Sequence, residues 1–175
     1  LAHPDLYEIR FLDVSLAPEQ LLGRHADLPA RLAAAQERTA AFQSAAAVGG
    51  ARRVLEMALD HARERVQFGK PIGSFQAVQH LLANAWSEVE TAWLAAYEAI
   101  TYLEAGLPGA SDKVAIAKCA SNDTFVRTCF TAHQVLGGMG YMWETDLHLW
   151  TRKAKEIELA QGGIYPYRQR LAASL

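Results

Sequence analysis

The segment QVLGGMGYMWETDLHLWTRKAKEIELAQGG, residues 134–163, decides how the chain is read. Gly137, Gly138 and Gly140 close one helical run, because glycine accepts positive φ and lets the backbone approach a neighbour closely. An amphipathic pattern follows, from Thr145 as the expected N-cap to about Ala160, and stops at Gln161-Gly162-Gly163. Taken alone, such a glycine cluster is a helix end and a turn. A second segment upstream, Arg65-Val66-Gln67-Phe68-Gly69 followed by Phe75-Gln76, gives it a functional reading.

The sequence has 175 residues, of which 51% are apolar and 21% charged, enough for one domain with a real core. The net charge is −2 and there is no basic run, which argues against nucleic acid as a partner. No apolar run approaches the roughly 18–20 residues that cross a bilayer, and no signal-like start is visible. Cys119 and Cys129 fall in one helical run, roughly 15 Å apart at 1.5 Å per residue, so they cannot bridge. Reduced, buried thiols follow, and with them a cytoplasmic location.

Tyr7-Glu8-Ile9-Arg10-Phe11 alternates as a strand does, with Val14 and Leu16 beyond it. One strand is not stable alone. Residues 1–23 are therefore expected to be the tail of a β region and its linker, with the other strands beyond a fragment boundary or on another chain. Residues 24–175 then read as helical. A first helix is expected from Pro29 to Glu64, with Leu28, Leu32, Ala35, Phe42, Ala46, Leu55, Leu59 and Ala62 on its apolar stripe. Gly49-Gly50 and the many alanines there suggest close packing against another helix or a ligand. Gly69, Pro71 and Gly73 break the run. Ser74 is the expected cap of a second helix to Ala105, with the stripe Val78, Leu81, Leu82, Ala85, Val89, Trp93, Tyr97, Ile100. Ser111 caps a third, ending at Leu136, and Pro166 opens a short last one. The fold class is all-α: an antiparallel four-helix bundle with a short N-terminal strand remnant.

The pattern R-x-Q-F-G-K-P-I-x-x-F-Q-x-V-Q, Arg65 to Gln79, resembles the flavin-contact turn of acyl-CoA dehydrogenases. So do Q-V-L-G-G-M-G-Y, Gln134 to Tyr141, and W-T-R-K-A-K, Trp150 to Lys155. EIRFLDVSLAPEQLLG is similar to the last strand and exit of that family's middle β-domain. The resemblance covers nearly all of this chain, but only the C-terminal part of the family's architecture. It implies the family's C-terminal helical-bundle domain and FAD as cofactor. On FAD it places Arg65, Gln67, Phe68, Gln76, Gln134, Gly137, Gly138 and Gly163. A guanidinium fork matches phosphate oxygens, which suits Arg65 to the cofactor's pyrophosphate. Because the family shares its flavin between neighbouring subunits, these residues are expected to reach across an interface.

The resemblance further implies dehydrogenation of an acyl-CoA thioester, with a base taking the proton next to the carbonyl and the flavin taking a hydride. Whether the acyl group is a fatty acid or a steroid side chain is not readable here. Most members place that base, a glutamate, where the family spacing leads to Gln161, and a neutral amide cannot accept the proton. The family's usual hydroxyl residue is replaced by Gly163. The alternative base position, on the first helix, falls on Thr39. Glu37 is rotated about 200° from it, and Glu158 lies about 4.5 Å back from Gln161 along the helix. Both are expected to be solvated surface charges. The expected partners are an acyl-CoA substrate, electron-transfer flavoprotein as acceptor, and a tetramer, possibly built with a base-carrying homologue. Two other readings are a flavin monooxygenase on the same scaffold and a non-catalytic assembly subunit. Phe68 is either a flavin contact or a core anchor. His133 and Trp86, Trp93, Trp143 and Trp150 are expected as packing or interface residues.

Overall fold

A computed structural model describes residues 7–20 and 27–174. Helix α1 spans Leu28–Glu64, α2 Gln76–Ala105, α3 Ala110–Leu136, α4 Leu147–Leu159 and α5 Tyr165–Ala173. Between α1 and α2 lies a minimal antiparallel pair, β1 (Val66–Gln67) and β2 (Lys70–Pro71), in register Val66↔Pro71 and Gln67↔Lys70.

Side-chain contacts fix the helix directions. Going down α1, Glu37 meets Ser111, Gln43 meets Lys118, and Gly50 faces Phe125. That near-constant offset means α1 and α3 run parallel. Helix α2 is antiparallel to both, with Arg52–Glu90 at 2.7 Å and Lys113–Glu98 at 2.8 Å. Helix α4 runs antiparallel to α3, since Thr151 meets His133 while the Ile157 carbonyl meets Lys118. The main core joins Ala47, Ala51, Val54 and Ala58 of α1 to Val89 of α2, Phe125 and Val135 of α3, and Leu147 and Ile157 of α4.

Several expectations are corrected. Residues 7–11 form no strand among the described residues. Tyr7, Ile9 and Phe11 are exposed, and no neighbouring strand offers a ladder for their backbone groups. The expected junction near Gly23 lies outside the described residues. In the first half of α1 the large apolar residues Leu28, Leu32 and Phe42 face outward, and Ala40, Ala41, Ala47 and Ala51 face inward. Helix axes that approach this closely leave room only for small side chains, and propensity patterns do not report that. None of the expected N-caps accepts a helix N–H. Ser74 Oγ donates to the Pro71 carbonyl, Ser111 Oγ to Glu37, and Thr145 Oγ1 to the Met142 carbonyl. The helix starts follow Phe75, Gly109 and Asp146 instead, the last two in left-handed backbone. Trp86 and Trp143 are exposed and Trp93 stacks on Tyr97 at the surface, so of the four tryptophans only Trp150 packs on the core.

Gly50 shows why the centre of α1 carries glycine. A Cβ there would lie 2.4 Å from Cζ of the buried Phe125 ring, whereas one on Gly49 would meet nothing. Gly50→Ala should cost about 1–2 kcal/mol net, overpacking outweighing the helix-propensity gain. Gly49→Ala should stabilise by up to about 1 kcal/mol. Denaturant melts of the two variants check this.

Lys118 is fully buried and has no carboxylate partner among the described residues. Its Nζ donates to Gln43 Oε1 at 2.7 Å and to the Ile157 carbonyl at 3.2 Å. Burial lowers its pKa to about 8 from the ordinary 10.5. The cost of the buried charge is therefore fully present below about pH 8, and is relieved as pH rises through the window up to 10.5. The parent should gain stability relative to Lys118→Met across that window, as read by paired unfolding curves at stepped pH.

Candidate functional site

The residues singled out in the sequence fall at two separate places. At the first, α1 ends and the chain turns through β1 and β2. Phe68 (φ 54) and Gly69 (φ 78) form its two-residue turn, both with positive φ, the arrangement that tight hairpins prefer. The Ile72 N–H donates to the Arg65 carbonyl at 2.8 Å and closes the loop. Gly73 presses it onto α1, since a Cβ there would lie 2.9 Å from the Ala62 carbonyl oxygen. Phe68 is 92% exposed, so it is no core anchor. A bulky residue in left-handed backbone costs on the order of 1 kcal/mol, and here that strain presents an aromatic ring to the outside. Phe75 lies half-buried, edge-on to it at 6.0 Å. The Arg65 guanidinium makes no ion pair among the described residues. Gln67 and Gln76 are exposed beside it.

The parallel register of α1 and α3 carries the C-terminal end of α3 to the level of this hairpin. Gln134 is exposed on its last turn, and the bend Gly137–Tyr141 follows as a 3-10 turn. Gly137 has φ 58 and ψ −133, a conformation closed to residues with a Cβ. Nothing stands within 4 Å of where a Cβ on Gly137 or Gly138 would be, so the backbone of the bend is open to an approaching group. Gly140 is its buried anchor, where a Cβ would lie 3.1 Å from His133 Nδ1. His133 is a packed residue, with Nε2 2.8 Å from Thr151 Oγ1 and its ring 4.8 Å from that of Tyr141. Burial lowers its pKa below the ordinary value, which leaves it neutral at pH 7. Exposed donors (Arg65, Gln67, Gln76, Gln134), a presented aromatic ring and an uncovered glycine backbone suit an extended, phosphate-bearing aromatic cofactor.

The second place holds Gln161 and Gly163. Gln161 (φ 57), Gly162 (φ 81) and Gly163 (φ 73) are left-handed in succession. The Tyr167 hydroxyl donates to Gln161 Oε1 at 2.8 Å. A cavity of about 520 Å³ opens beside it, lined by Gln36, Glu37, Gln161, Pro166, Tyr167 and Arg170. Glu37 is not a solvated charge. It pairs with Arg170 and accepts from Ser111 Oγ, and its Oε2 is buried without a partner among the described residues. Glu158 is tied to Lys155 at 2.6 Å and is partly buried. Thr39 Oγ1 donates to the Ala35 carbonyl of its own helix. Sequence reasoning missed Tyr167 and Arg170, because only the folded chain returns α5 across the start of α1.

Glu37 and Arg65 belong to one continuous helix and its cap. At 1.5 Å per residue they stand roughly 40 Å apart. The expected cofactor set therefore divides: Gly163 lies with Gln161, and the other seven residues lie at the far end.

Comparison with known proteins follows the same lines. A family profile described as "Acyl-CoA dehydrogenase, C-terminal domain" matches residues 30–174. The chain is 36% identical to cyclohex-1-ene-1-carbonyl-CoA dehydrogenase of Syntrophus aciditrophicus over 89% of its own length and 37% of the relative's. Among solved structures it is similar to butyryl-CoA dehydrogenase from Megasphaera elsdenii (TM-score 0.86, 28% identity, 94% of this chain and 43% of that one). It is also similar to a chain of the ChsE4–ChsE5 complex from Mycobacterium tuberculosis (TM-score 0.74, 30% identity, 79% and 37%). The chain thus spans about two fifths of the length of the proteins it matches.

The glycine bend makes a paired prediction. Gly137→Ala should cost about 1–3 kcal/mol from backbone strain. Gly138→Ala should leave stability within about 0.5 kcal/mol, yet weaken FAD retention in the complete protein. Thermal melts and absorbance of the retained flavin measure the two effects.

Proposed function

The chain belongs to the acyl-CoA dehydrogenase family, and we propose that it is the C-terminal helical part of an FAD-dependent enzyme that dehydrogenates an acyl-CoA thioester without a base of its own. The observation that carries this reading is the strained turn at Gln161. The resemblance puts the family's base position on this amide, whose oxygen accepts the Tyr167 hydroxyl. An amide has no basic lone pair at neutral pH, so it cannot take the proton next to the thioester carbonyl. On this reading neither nearby carboxylate serves as the base: one oxygen of Glu37 is held by Arg170 and Ser111 while the other is buried, and Glu158 pairs with Lys155.

At the other end, Arg65, Gln67, Phe68, Gln76, Gln134, Gly137 and Gly138 would hold FAD, with Arg65 on its phosphates. Bound there, FAD supplies the acceptor for the hydride. With roughly 40 Å between that end and Gln161, both can serve flavin chemistry only if more than one chain builds each site. The proposal is therefore an oligomer, a tetramer of this protein with a base-carrying homologue, passing electrons to electron-transfer flavoprotein. The heteromeric title of the similar ChsE4–ChsE5 structure supports such an arrangement. No described helix is long and apolar enough to cross a membrane, in keeping with an acyl-CoA site reached from water.

The test uses the complete protein. Alone, it should oxidise acyl-CoA about 10²–10⁴-fold more slowly than when combined with a base-bearing homologue, the usual worth of a general base. Gln161→Glu should recover at least tenfold of that loss without the homologue. A normal rate for the unmodified protein alone defeats the proposal. Anaerobic dye-reduction kinetics give the readout.

A further inference from the structure

We infer that Lys118 and Asn122 of α3 are positioning residues for the Gln161 turn, acting as a buried cap on the C-terminal end of α4. A helix leaves its last carbonyls without intrahelical partners, and α4 ends at Leu159. The Ala160 N–H still reaches the Glu156 carbonyl. The next two carbonyls, of Ile157 and Glu158, are met from another helix. Lys118 Nζ donates to Ile157 at 3.2 Å, and Asn122 Nδ2 reaches Ile157 at 3.4 Å and Glu158 at 3.5 Å.

Both donors are buried, at 0% and 1% exposure, and are as inaccessible as the apolar core around them. Lys118 is anchored in turn by Gln43 Oε1, so α1, α3 and α4 meet at one ammonium group. A cation at a helix C-terminus also complements the negative end of the helix dipole. A lysine without a carboxylate is costly to bury, and hydrophobic packing alone would not select it. What it does here is hold the Ile157 carbonyl, about one turn before the left-handed sequence Gln161-Gly162-Gly163, and so fix where α4 ends.

The far side of the turn is held separately. Arg168 pairs with Asp123 at 2.5 Å, and Cys119 Sγ lies 3.8 Å from the Ile164 carbonyl. Asp123 and Cys119 flank Asn122 and Lys118 on α3. One face of α3 therefore grips the chain both before and after Gln161, which keeps a non-glycine residue in left-handed backbone beside the cavity. That this turn shapes an acyl-CoA site rests on the proposed function. The grip itself does not.

The experiment compares Lys118→Met, which keeps the volume and removes the donor, with the milder Asn122→Ala in the complete flavin-loaded protein. Amide hydrogen exchange should rise at least tenfold at residues 160–163 in Lys118→Met and severalfold in Asn122→Ala, with core amides of α1 and α2 changed less than twofold. The dissociation constant of a non-reactive thioether analogue of acyl-CoA should rise about fivefold or more, while FAD retention at the distant hairpin is unchanged. Uniformly faster exchange, or no change at 160–163 in either variant, overturns the inference. Local loosening with unaltered analogue affinity in both variants supports the grip and overturns the reading of the turn as part of the substrate site.

Discussion

Gly50 and Phe125 meet where α1 packs on α3, and a side chain on Gly50 would have to occupy the space of the Phe125 ring. That contact sets how near the parallel helices α1 and α3 can lie and in what register. The alanines above and below it on α1 follow from the same limit, since axes this close leave room for little more than a methyl group. Everything at the ends of the bundle inherits the register. One end brings the Arg65 hairpin level with the glycine bend after α3. The other brings Glu37 level with the start of α3 and within reach of Arg170.

An alanine seam brings helices close but gives little direction, because small apolar contacts tolerate sliding. Directional contacts are supplied by polar groups. The buried Lys118 and Asn122 tie α3 to the end of α4, the buried His133 ties it to Thr151, and the half-buried Glu37 ties α1 to α5. Displacing α4 would leave the donors of Lys118 and Asn122 unpaired in a dry interior. Backbone strain is present at both candidate places. Gln161 and Phe68 are both left-handed without being glycine, one beside a cavity and one on an open hairpin.

The two places are different in kind. The hairpin and glycine bend offer exposed donors and bare backbone, a surface suited to an extended partner molecule. The Gln161 turn is tied down from both sides by hydrogen bonds and an ion pair, with Gln161 itself exposed beside the cavity. On the proposed function, the first grips cofactor and the second shapes the pocket in which another chain's carboxylate does the proton chemistry.

Helix number, their approximate ends, the turn after α1 and the glycine bend were legible in the residues, because glycine, proline and apolar period act within a few positions of themselves. The amide at position 161 was equally plain, being a matter of residue identity. Local pattern misjudged which face of α1 is inside, which residues begin the helices, and the state of Glu37. Leu32 and Phe42 look like core until helix separation is known, Ser111 looks like a cap until Glu37 stands beside it, and Glu37 looks solvated until α5 folds back over it. The sequence by itself thus determined the approximate elements and the amide at position 161. Tertiary structure alone decided the burial of Lys118, the grip on the Gln161 turn and the 40 Å that divides the site residues, because these depend on groups far apart in the chain being brought to contact distance.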